Sequence, residues 1–384
     1  MKATSLLRAF GLSATLFPQC VKKLIPFYFV AMLAGGANAQ VVALVNSTSG
    51  TTTIFQTMDS AVNAAANNDI IYCSGGMVRW NVSGGTSVSK KLNIYGSGIH
   101  FDSTSTTGIT KFYQDGGGAT SPNIRFSQAA DNSFVSGCDF TNYYINKEAN
   151  STTIYNINFQ RCKFGNEIHG NVPVNTSGST TSPNFNYSEC IINGTVSGGS
   201  GYISNFNNCY ITTIYDIAPG ATFNNCIFYP DDNTSTTSPM GYASTFNNCI
   251  FYNIPSWISN GLGHTPSNWV LNNCVFNGPN FIAQSGGTGN VLNSCIFNVA
   301  ASNLFVSVGT HGNWWHSSDN FHLVAGSPAL TAGIGGTQCG IYGGANSAKA
   351  GLVPVNPHIS QATVPAVSTN GLLNVTINAA AQQN

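Results

Sequence analysis

The chain of 384 residues is low in charge, because Asp, Glu, Lys and Arg make up only 7% of it, against about 25% in ordinary soluble domains. Hydrophobic residues make up 42% and aromatic residues 11%, which is enough apolar surface to order a chain and argues against charge-driven disorder. The 13 Lys and Arg only balance the 13 Asp and Glu, so nucleic acid is not an expected partner.

The first 39 residues have the pattern of a secretory signal peptide. Four cations precede an apolar run at 24–33, and Ala37-Asn38-Ala39 follows as a small-x-small cleavage site. The run is shorter than the roughly 18 apolar residues of a spanning helix. We predict no transmembrane segment and a mature chain that starts near Gln40, secreted or on the surface of a bacterium. Without the leader cations, its formal net charge is 9 minus 13, or −4.

Residues 57–66 form the one good predicted helix of the mature chain. Its apolar stripe consists of Met58, Ala61, Val62 and Ala65. A predicted strand follows at 69–73. Because a solenoid must cover its terminal coils, we predict that this helix is an N-terminal cap.

A short phrase recurs along the chain and predicts the fold. Its clearest copies read Phe-Asn-Asn-Cys or Leu-Asn-Asn-Cys, followed by an apolar pair. The cysteines of all copies are Cys138, Cys162, Cys190, Cys209, Cys226, Cys249, Cys274 and Cys295. Their spacing of 17 to 28 residues suits one coil of a parallel β-helix per copy. We predict an all-β fold, a single-stranded right-handed parallel β-helix over residues 40–350.

Alternation along a strand predicts which residues of the phrase face inward. The Cys and the residue two positions later share a face, which we predict to be the interior. The Asn pair suits a tight bend, where stacked side chains can bond to one another. This predicts a ladder of Asn208, Asn225, Asn248 and Asn273. Parallel stacking of cysteines is a poor disulfide geometry and no metal-ligand spacing occurs, so we predict free thiols and no metal site.

The residues between the inward positions predict an uncharged outer column. These residues are Tyr210, Ile227, Ile250, Val275 and Ile296. Such a stripe could dock an extended polymer, a neighbouring subunit in self-association, or the chain's own residues 351–384. One late strand is predicted in that tail at 372–377, as a covering or sorting segment.

The main charged stretch, from Lys111 to Glu167, contains the best catalytic candidates. Cleavage of a uronate polymer by elimination needs a base, and cations that neutralise the substrate carboxylate. We expect Arg161 and Lys163 to point outward on one strand, with Asp139 at the matching position one coil earlier. The interpretation that we favour is a solvated face with cross-strand ion pairs, which are ordinary features of sheets.

Two further groups of residues suggest ligand binding. Asp231-Asp232 is the sole adjacent carboxylate pair; we interpret it as a loop cap or a weak Ca²⁺ site, the one cofactor considered. The other group gathers aromatic and titratable side chains that could bind sugar: Trp314, Trp315, His316 and Asp319. Since adjacent residues on a strand face opposite ways, the alternative is that one Trp is buried and seals the last coils.

Phrases at both ends of the repeat resemble a known group of proteins. The helix and strand at 57–72 are similar to its opening, Phe321-His322-Leu323 with 326–330 to its closing phrase, and 340–344 to its Gly-rich turn. On these phrases, residues 57–344 resemble secreted right-handed parallel β-helix repeat proteins of the pectate-lyase-like superfold, common in Bacteroidota. Thr331 and Gln338 stand where that group commonly has Asp. The resemblance implies a fold and does not specify an activity.

The sequence favours a non-catalytic function. No Lys or Arg lies between Lys163 and Lys349, whereas carbohydrate-active β-helices usually assemble acids and bases on central coils. We expect a structural, adhesive or glycan-binding role, with a polysaccharide or surface glycan as partner. The alternative is a polysaccharide lyase or glycoside hydrolase that acts on an extracellular polysaccharide.

Overall fold

The computed structural model describes residues 41–380 with gaps. The gaps are 82–85, 101–107, 116–121, 148–155, 166–173, 176–183, 198–203, 216–219, 230–242, 254–265, 281, 283–286, 310–314, 346, 349–351, 353–357 and 364–375. The predicted signal peptide, the Asp231-Asp232 pair and Trp314 lie outside the described residues.

The described chain consists mainly of short strands. In the first half of the chain they are β1 (Val42–Val45), β2 (Thr52–Phe55), β3 (Ile70–Cys73), β4 (Gly76–Arg79), β5 (Thr86–Val88), β6 (Asn93–Tyr95), β7 (Thr110–Tyr113), β8 (Asn123–Phe126), β9 (Ser133–Ser136), β10 (Cys138–Phe140), β11 (Tyr144–Lys147), β12 (Asn156–Gln160), β13 (Lys163–Phe164), β14 (Val174–Asn175), β15 (Asn184–Ser188) and β16 (Ile191–Ser197). In the second half they are β17 (Asn205–Asn207), β18 (Tyr210–Tyr215), β19 (Thr222–Asn224), β20 (Ile227–Phe228), β21 (Thr245–Asn247), β22 (Ile250–Phe251), β23 (Val270–Asn272), β24 (Val275–Phe276), β25 (Val291–Asn293), β26 (Phe305–Ser307), β27 (Asn320–Leu323), β28 (His358–Thr363) and β29 (Thr376–Ala380).

These strands stack into two long sheets. Sheet A has the order β2-β1-β3-β6-β9-β12-β15-β17-β19-β21-β23-β25, and it is parallel from β3 onward. Sheet B has the order β4-β7-β10-β13-β16-β18-β20-β22-β24, with β14 also paired to β16. A short third sheet joins β5, β8 and β11 in the early coils. Each coil except the last contributes one strand to sheet A and one to sheet B, and the last coil extends sheet B by the bridge between Val275 and Ile296. The predicted parallel β-helix is confirmed.

The N-terminal end of the solenoid is covered by one helix and two antiparallel strands. Helix α1 spans Met58–Ala64, and Thr57 caps it by accepting a hydrogen bond from the Ser60 N–H. The helix buries Met58, Ala61 and Val62 against the first coil, where β1 pairs antiparallel with both β2 and β3. The predicted capping helix is confirmed.

The interior contains a column of free thiols beside stacked aromatic rings. All eight cysteines of the repeat are free, and all except Cys295 are buried. The Cys209 Sγ lies 3.3 Å from the Asn207 carbonyl oxygen and 3.5 Å from that of Tyr187 in the previous coil, and the other copies repeat this geometry. Burial raises the pKa of the Cys162 thiol to about 12. Burial likewise raises the pKa values of Cys138, Cys190, Cys226, Cys249 and Cys274, so these thiols and Cys162 are neutral packing groups with weak S–H donors.

The corner between sheets A and B requires a left-handed backbone. The corner residue has φ between 50° and 56° in every coil from Arg161 to Ser294, and it is Asn in four of them. Asn tolerates this conformation better than other non-glycine residues, which explains its recurrence. The side-chain ladder, however, is formed by the residue before the corner: Asn224, Asn247, Asn272 and Asn293 each donate to the preceding Asn at 2.8–2.9 Å.

The predicted ladder of Asn208, Asn225, Asn248 and Asn273 is therefore corrected. Only Asn248 donates to its predecessor, at 3.5 Å. These corner amides instead contact residues 299–348, which we call the cover. Asn208 donates to the carbonyls of Ile341 and Gly343, and Asn273 donates to that of Ala332. The corner side chains point away from the coil axis, so they meet a segment that packs on the outside.

The cover folds back over the outer face of sheet B. The outer column of that sheet reads, coil by coil, Met77, Lys111, Asp139, Lys163, Ile191, Tyr210, Ile227, Ile250, Val275 and Ile296. Its apolar part from Ile191 to Val275 is buried in a second hydrophobic core with Phe305, Trp315 and Ile341 of the cover. The stripe is therefore not open, and among the described residues it is the cover, together with Leu352 at the start of the predicted tail, that packs against it.

The tail forms a small sheet of its own. Strands β28 and β29 pair antiparallel with each other, and β29 overlaps the predicted strand at 372–377 in Thr376 and Ile377, while 372–375 lie outside the described residues. In the described part of the chain, neither strand joins another sheet.

Candidate functional surfaces

Asp139 and Lys163, two of the three catalytic candidates, occupy consecutive positions on the outer column of sheet B. They are register partners on β10 and β13, and both side chains are buried. The Asp139 carboxylate accepts hydrogen bonds from the Thr141 backbone N–H, at 2.8 Å, and from the Thr141 hydroxyl. The carboxylate therefore closes a local turn.

Arg161, the third candidate, is not on that strand. It is the corner residue of its coil, with φ of 50°, and its side chain is 1% exposed. Its Nε lies 2.9 Å from the Oε2 of Glu189, the corner residue of the next coil. The expectation that Arg161 and Lys163 form a solvated face was wrong, because the corner turns Arg161 out of the strand and the cover buries the column.

Trp315 brings the two groups of predicted site residues together. Its ring centroid lies 5.3 Å from the Lys163 Nζ, and His100 meets the same ring edge-on at 5.6 Å between centroids. The buried Asn193 holds the Trp315 backbone, since its Oδ1 accepts from the Trp315 N–H at 3.1 Å and its amide donates to the Trp315 carbonyl at 3.4 Å. A cation over a Trp face is a stabilising contact. Trp315 thus secures the cover where the column changes from charged to apolar.

His316 and Asp319 shape the loop that carries Trp315. Asp319 accepts from the backbone N–H groups of Gly309 and His316, both at 3.0 Å. The His316 Nδ1 lies 2.8 Å from the Ser318 hydroxyl. The sugar-binding expectation for this group does not fit Trp315, which is buried with its ring against Lys163 and His100. The described residues contain no group of three His, Cys, Asp or Glu that could hold a metal ion.

The outer face of sheet A has a different composition, because no residue of its two outward columns is charged. The first column is Asn93, Phe134, Asn158, Asn186, Asn205, Thr222, Thr245, Val270 and Val291. The second column is Tyr72, Tyr95, Ser136, Gln160, Ser188, Asn207, Asn224, Asn247, Asn272 and Asn293. We call this surface the amide face.

Hydrogen bonds between coils hold the side chains of the amide face in register. In the first column Asn186 donates to Asn158 at 3.0 Å, Asn205 to Asn186 at 2.9 Å, and the Thr222 hydroxyl to Asn205 at 2.6 Å. The second column contains the ladder from Asn207 to Asn293 described above. A primary amide has two donors and two acceptor sites, and the ladder uses one of each. Every rung therefore retains hydrogen-bonding capacity.

Aromatic rings begin the amide face at its N-terminal end. Tyr72 and Tyr95 stack with centroids 5.5 Å apart, and Tyr95 contacts Phe134 at 5.7 Å. Partial burial raises the pKa of both tyrosines, so their hydroxyls are neutral donors and acceptors. Reasoning from sequence missed this surface. The signal that could have found it is the first Asn of each repeat phrase, which falls on a strand position that faces outward.

The comparisons with known proteins do not add a family to this geometry. No protein-family model matches the chain, and no curated protein matches it at a significant level. No helix among the described residues is long and apolar enough to cross a membrane.

Proposed function

We propose that the protein is a secreted or cell-surface β-helix that binds a neutral, extended polymer, a glycan in the first place, on its amide face. The observation that carries the proposal is the pair of uncharged columns that runs the length of sheet A in hydrogen-bonded register. The binding is non-catalytic. The leader-like first 39 residues and the resemblance to secreted β-helix proteins support the extracellular setting.

The chemistry of the amide face matches that of sugar hydroxyls. Hydroxyls both donate and accept hydrogen bonds, as do the amides and the Thr hydroxyls of the two columns. Because neighbouring side chains are already hydrogen-bonded to each other, little side-chain entropy is lost when a ligand binds. The rung spacing of about 4.8 Å repeats along the solenoid, so a repeating ligand meets equivalent groups in successive coils.

Two observations favour binding over cleavage. Asp139 and Arg161 are each 1% exposed, and their polar groups contact Thr141 and Glu189. A general base must reach the proton that it removes. These candidates are placed to stabilise the coils and the cover, which makes the lyase or hydrolase interpretation the weaker one.

A pull-down on insoluble neutral polysaccharides, namely cellulose, chitin, xylan and mixed-linkage β-glucan, tests the proposal. We expect the purified mature chain to be retained by at least one of them, and retention to survive high salt because no charged group contributes. The double variant Thr245→Arg/Val270→Arg places two long cationic side chains on the amide face and should lower the affinity about tenfold or more, because they keep the ligand away from the amides of the neighbouring rungs.

The matched control is Met77→Arg, which adds a cation to an exposed position of sheet B, where Met77 is 41% exposed. It should bind like the unchanged chain. Retention by none of the four polysaccharides, or equal loss in both variants, would contradict the proposal. Release of unsaturated uronate products from a polyuronate, abolished in Asp139→Asn, would instead establish the lyase alternative.

A further inference from the structure

The two ends of the solenoid are finished differently. At the N-terminal end, α1 and the antiparallel strands β1 and β2 cover the first coil. At the other end the last coil, residues 291–298, which we call the end coil, leads directly into the cover. Leu271, Cys274 and Phe276 of the preceding coil are at most 1% exposed. Their counterparts Leu292, Cys295 and Phe297 are only partly buried.

In the described part of the chain the end coil also presents a strand edge without a pairing partner, because β25 is the last strand of sheet A. The Val291 N–H donates back to the Trp269 carbonyl, and the Asn293 carbonyl accepts from the Asn273 N–H. Because alternate residues of a parallel strand direct their backbone groups to opposite sides, those of Leu292 face the open side. An open edge beside apolar side chains is a surface that native β-proteins normally cover.

The tail contains an element that needs such a surface. A two-stranded antiparallel hairpin is at best marginally stable alone in water. The register of β28 and β29 pairs Ile359 with Ala379 and Ala362 with Ile377, which places these four residues on one face of the ladder. The polar pairs Gln361–Asn378 and Thr363–Thr376 fall on the other face. The hairpin is thus amphipathic in pattern.

The connecting chain is long enough to join the two features. Leu352 packs against the second core, and the Ala348 N–H donates to Ile341, whose carbonyl binds Asn208. The coil of Asn208 lies four coils before the end coil, or about 19 Å at 4.8 Å per coil. A hairpin docked on the open edge of the end coil lies one coil further, at about 24 Å, and the seven residue steps from Leu352 to Ile359 span at most about 25 Å. A tethered hairpin acts at an effective concentration in the millimolar range, which favours it over a second copy as occupant.

We propose that the hairpin of β28 and β29 docks its Ile359–Ile377 face on the end coil and closes the C-terminal end of the solenoid. This inference is independent of the proposed function, because it concerns the open end of the coil stack and makes no use of the amide face.

Thiol labelling of the native protein with N-ethylmaleimide, mapped by mass spectrometry, tests the docking. Cys295 lies in the end coil, and Cys274 directly beneath it is an internal control for intact coils. We expect Cys295 to react slowly in the full chain and about tenfold faster or more after deletion of residues 353–384, because protection follows the population of the closed form. The deletion begins at 353 so that Leu352 keeps its contacts.

Neighbouring point variants separate docking from a general loss of stability. Ile377→Asp, on the apolar face, should raise the rate as the deletion does, whereas Thr376→Asp, on the opposite face, should leave it unchanged. The proposal is overturned if Cys295 reacts equally fast with and without the tail, or if the two point variants behave alike. It is also overturned if protection of Cys295 in the full chain disappears on dilution, which would identify a second copy as the occupant. If the deletion also makes Cys274 reactive, the deletion has loosened the coils themselves, and the comparison of Ile377→Asp with Thr376→Asp then decides whether the hairpin docks.

Discussion

The two outer faces of this solenoid are built from the same repeat, but one presents polar side chains at the surface and the other is buried under the cover. On sheet A the outward residues of the central coils are Asn and Thr, and the face carries the hydrogen-bonded amide columns. On sheet B the equivalent positions are Ile, Tyr and Val, and the cover buries them in a second core. One outward residue per coil therefore decides whether a face is available for a partner or is used for the protein's own packing.

On the covered face, the outer column of sheet B changes from charged to apolar residues, and this change marks where the apolar contact with the cover begins. Lys111, Asp139 and Lys163 precede the apolar run that starts at Ile191. Trp315 lies at that change, with its ring on Lys163. The cover thus ends its apolar contact where the column can no longer supply an apolar surface, and a cation–π contact finishes the packing.

The largest difference in unfolding free energy is expected between a charge placed on the covered face and a charge placed on the amide face of the same coil. Ile250 and Thr245 lie in the same coil, the first fully buried under the cover and the second half-exposed on the amide face. Ile250→Lys should cost about 4 kcal/mol, because it buries an unpaired charge, while Thr245→Lys should cost less than about 0.5 kcal/mol. Chemical denaturation measures both values. Equal costs would mean that the cover does not seal sheet B in solution.

The buried corner pair should give the next largest effect. Arg161→Asn removes the guanidinium from the buried Glu189 carboxylate, which keeps the hydrogen bond from the Gln160 amide, and should cost about 3 kcal/mol or more. The double variant Arg161→Asn/Glu189→Asn restores the Asn found at the next four corners and should recover most of that loss. The exposed Arg79–Asp115 pair is the control, and Arg79→Asn should cost at most about 0.5 kcal/mol. A double variant as unstable as the single one would show that the corner needs this ion pair.

Two glycines of the cover offer the finest test of its packing. Gly340 and Gly335 both have positive φ, of 79° and 70°. A Cβ on Gly340 would lie 2.8 Å from the Ile250 Cδ1, whereas a Cβ on Gly335 would meet nothing within 4 Å. Both Ala variants cost about 1–2 kcal/mol for the backbone, and Gly340→Ala should add about 1–3 kcal/mol of overpacking. The difference in unfolding free energy measures how closely the cover approaches sheet B, and similar values for the two variants would contradict the packing.

The sequence predicted the interior more completely than the surfaces. Cys and the apolar residue two positions later share a strand face by local geometry alone, so the inward column could be predicted from one repeat. The position of Arg161 could not be. Arg161 directly precedes Cys162, just as Asn208 directly precedes Cys209. Only the superposition of successive coils shows that Arg161, like Asn208, is a corner residue with a left-handed backbone. The weaker early copies of the phrase hid that equivalence.

The cover shows a similar limit. The phrases around Phe321 and Gly340 were recognised as a closing element, but their contacts are with residues about a hundred positions away, such as Asn208 with Ile341. The burial of one Trp was predicted correctly, but Trp315 packs on Lys163 and Asn193 of earlier coils rather than on the last coils, and both neighbours lie far from it in the chain. The local sequence pattern of the cover does not indicate which coils it contacts, and the pattern of those coils does not indicate the cover.

By itself the sequence determined that this protein is a parallel β-helix with an N-terminal cap and free inward thiols, because strand alternation and the corner conformation act within a few residues and repeat in every coil. Only the tertiary structure decided which outer face stays open, that the charged candidates are buried, and that corner amides bind the cover. Those outcomes depend on one segment folding back over coils formed much earlier in the chain. An apolar outward column requires some cover, but which residues supply it is decided by where the chain goes after its last coil.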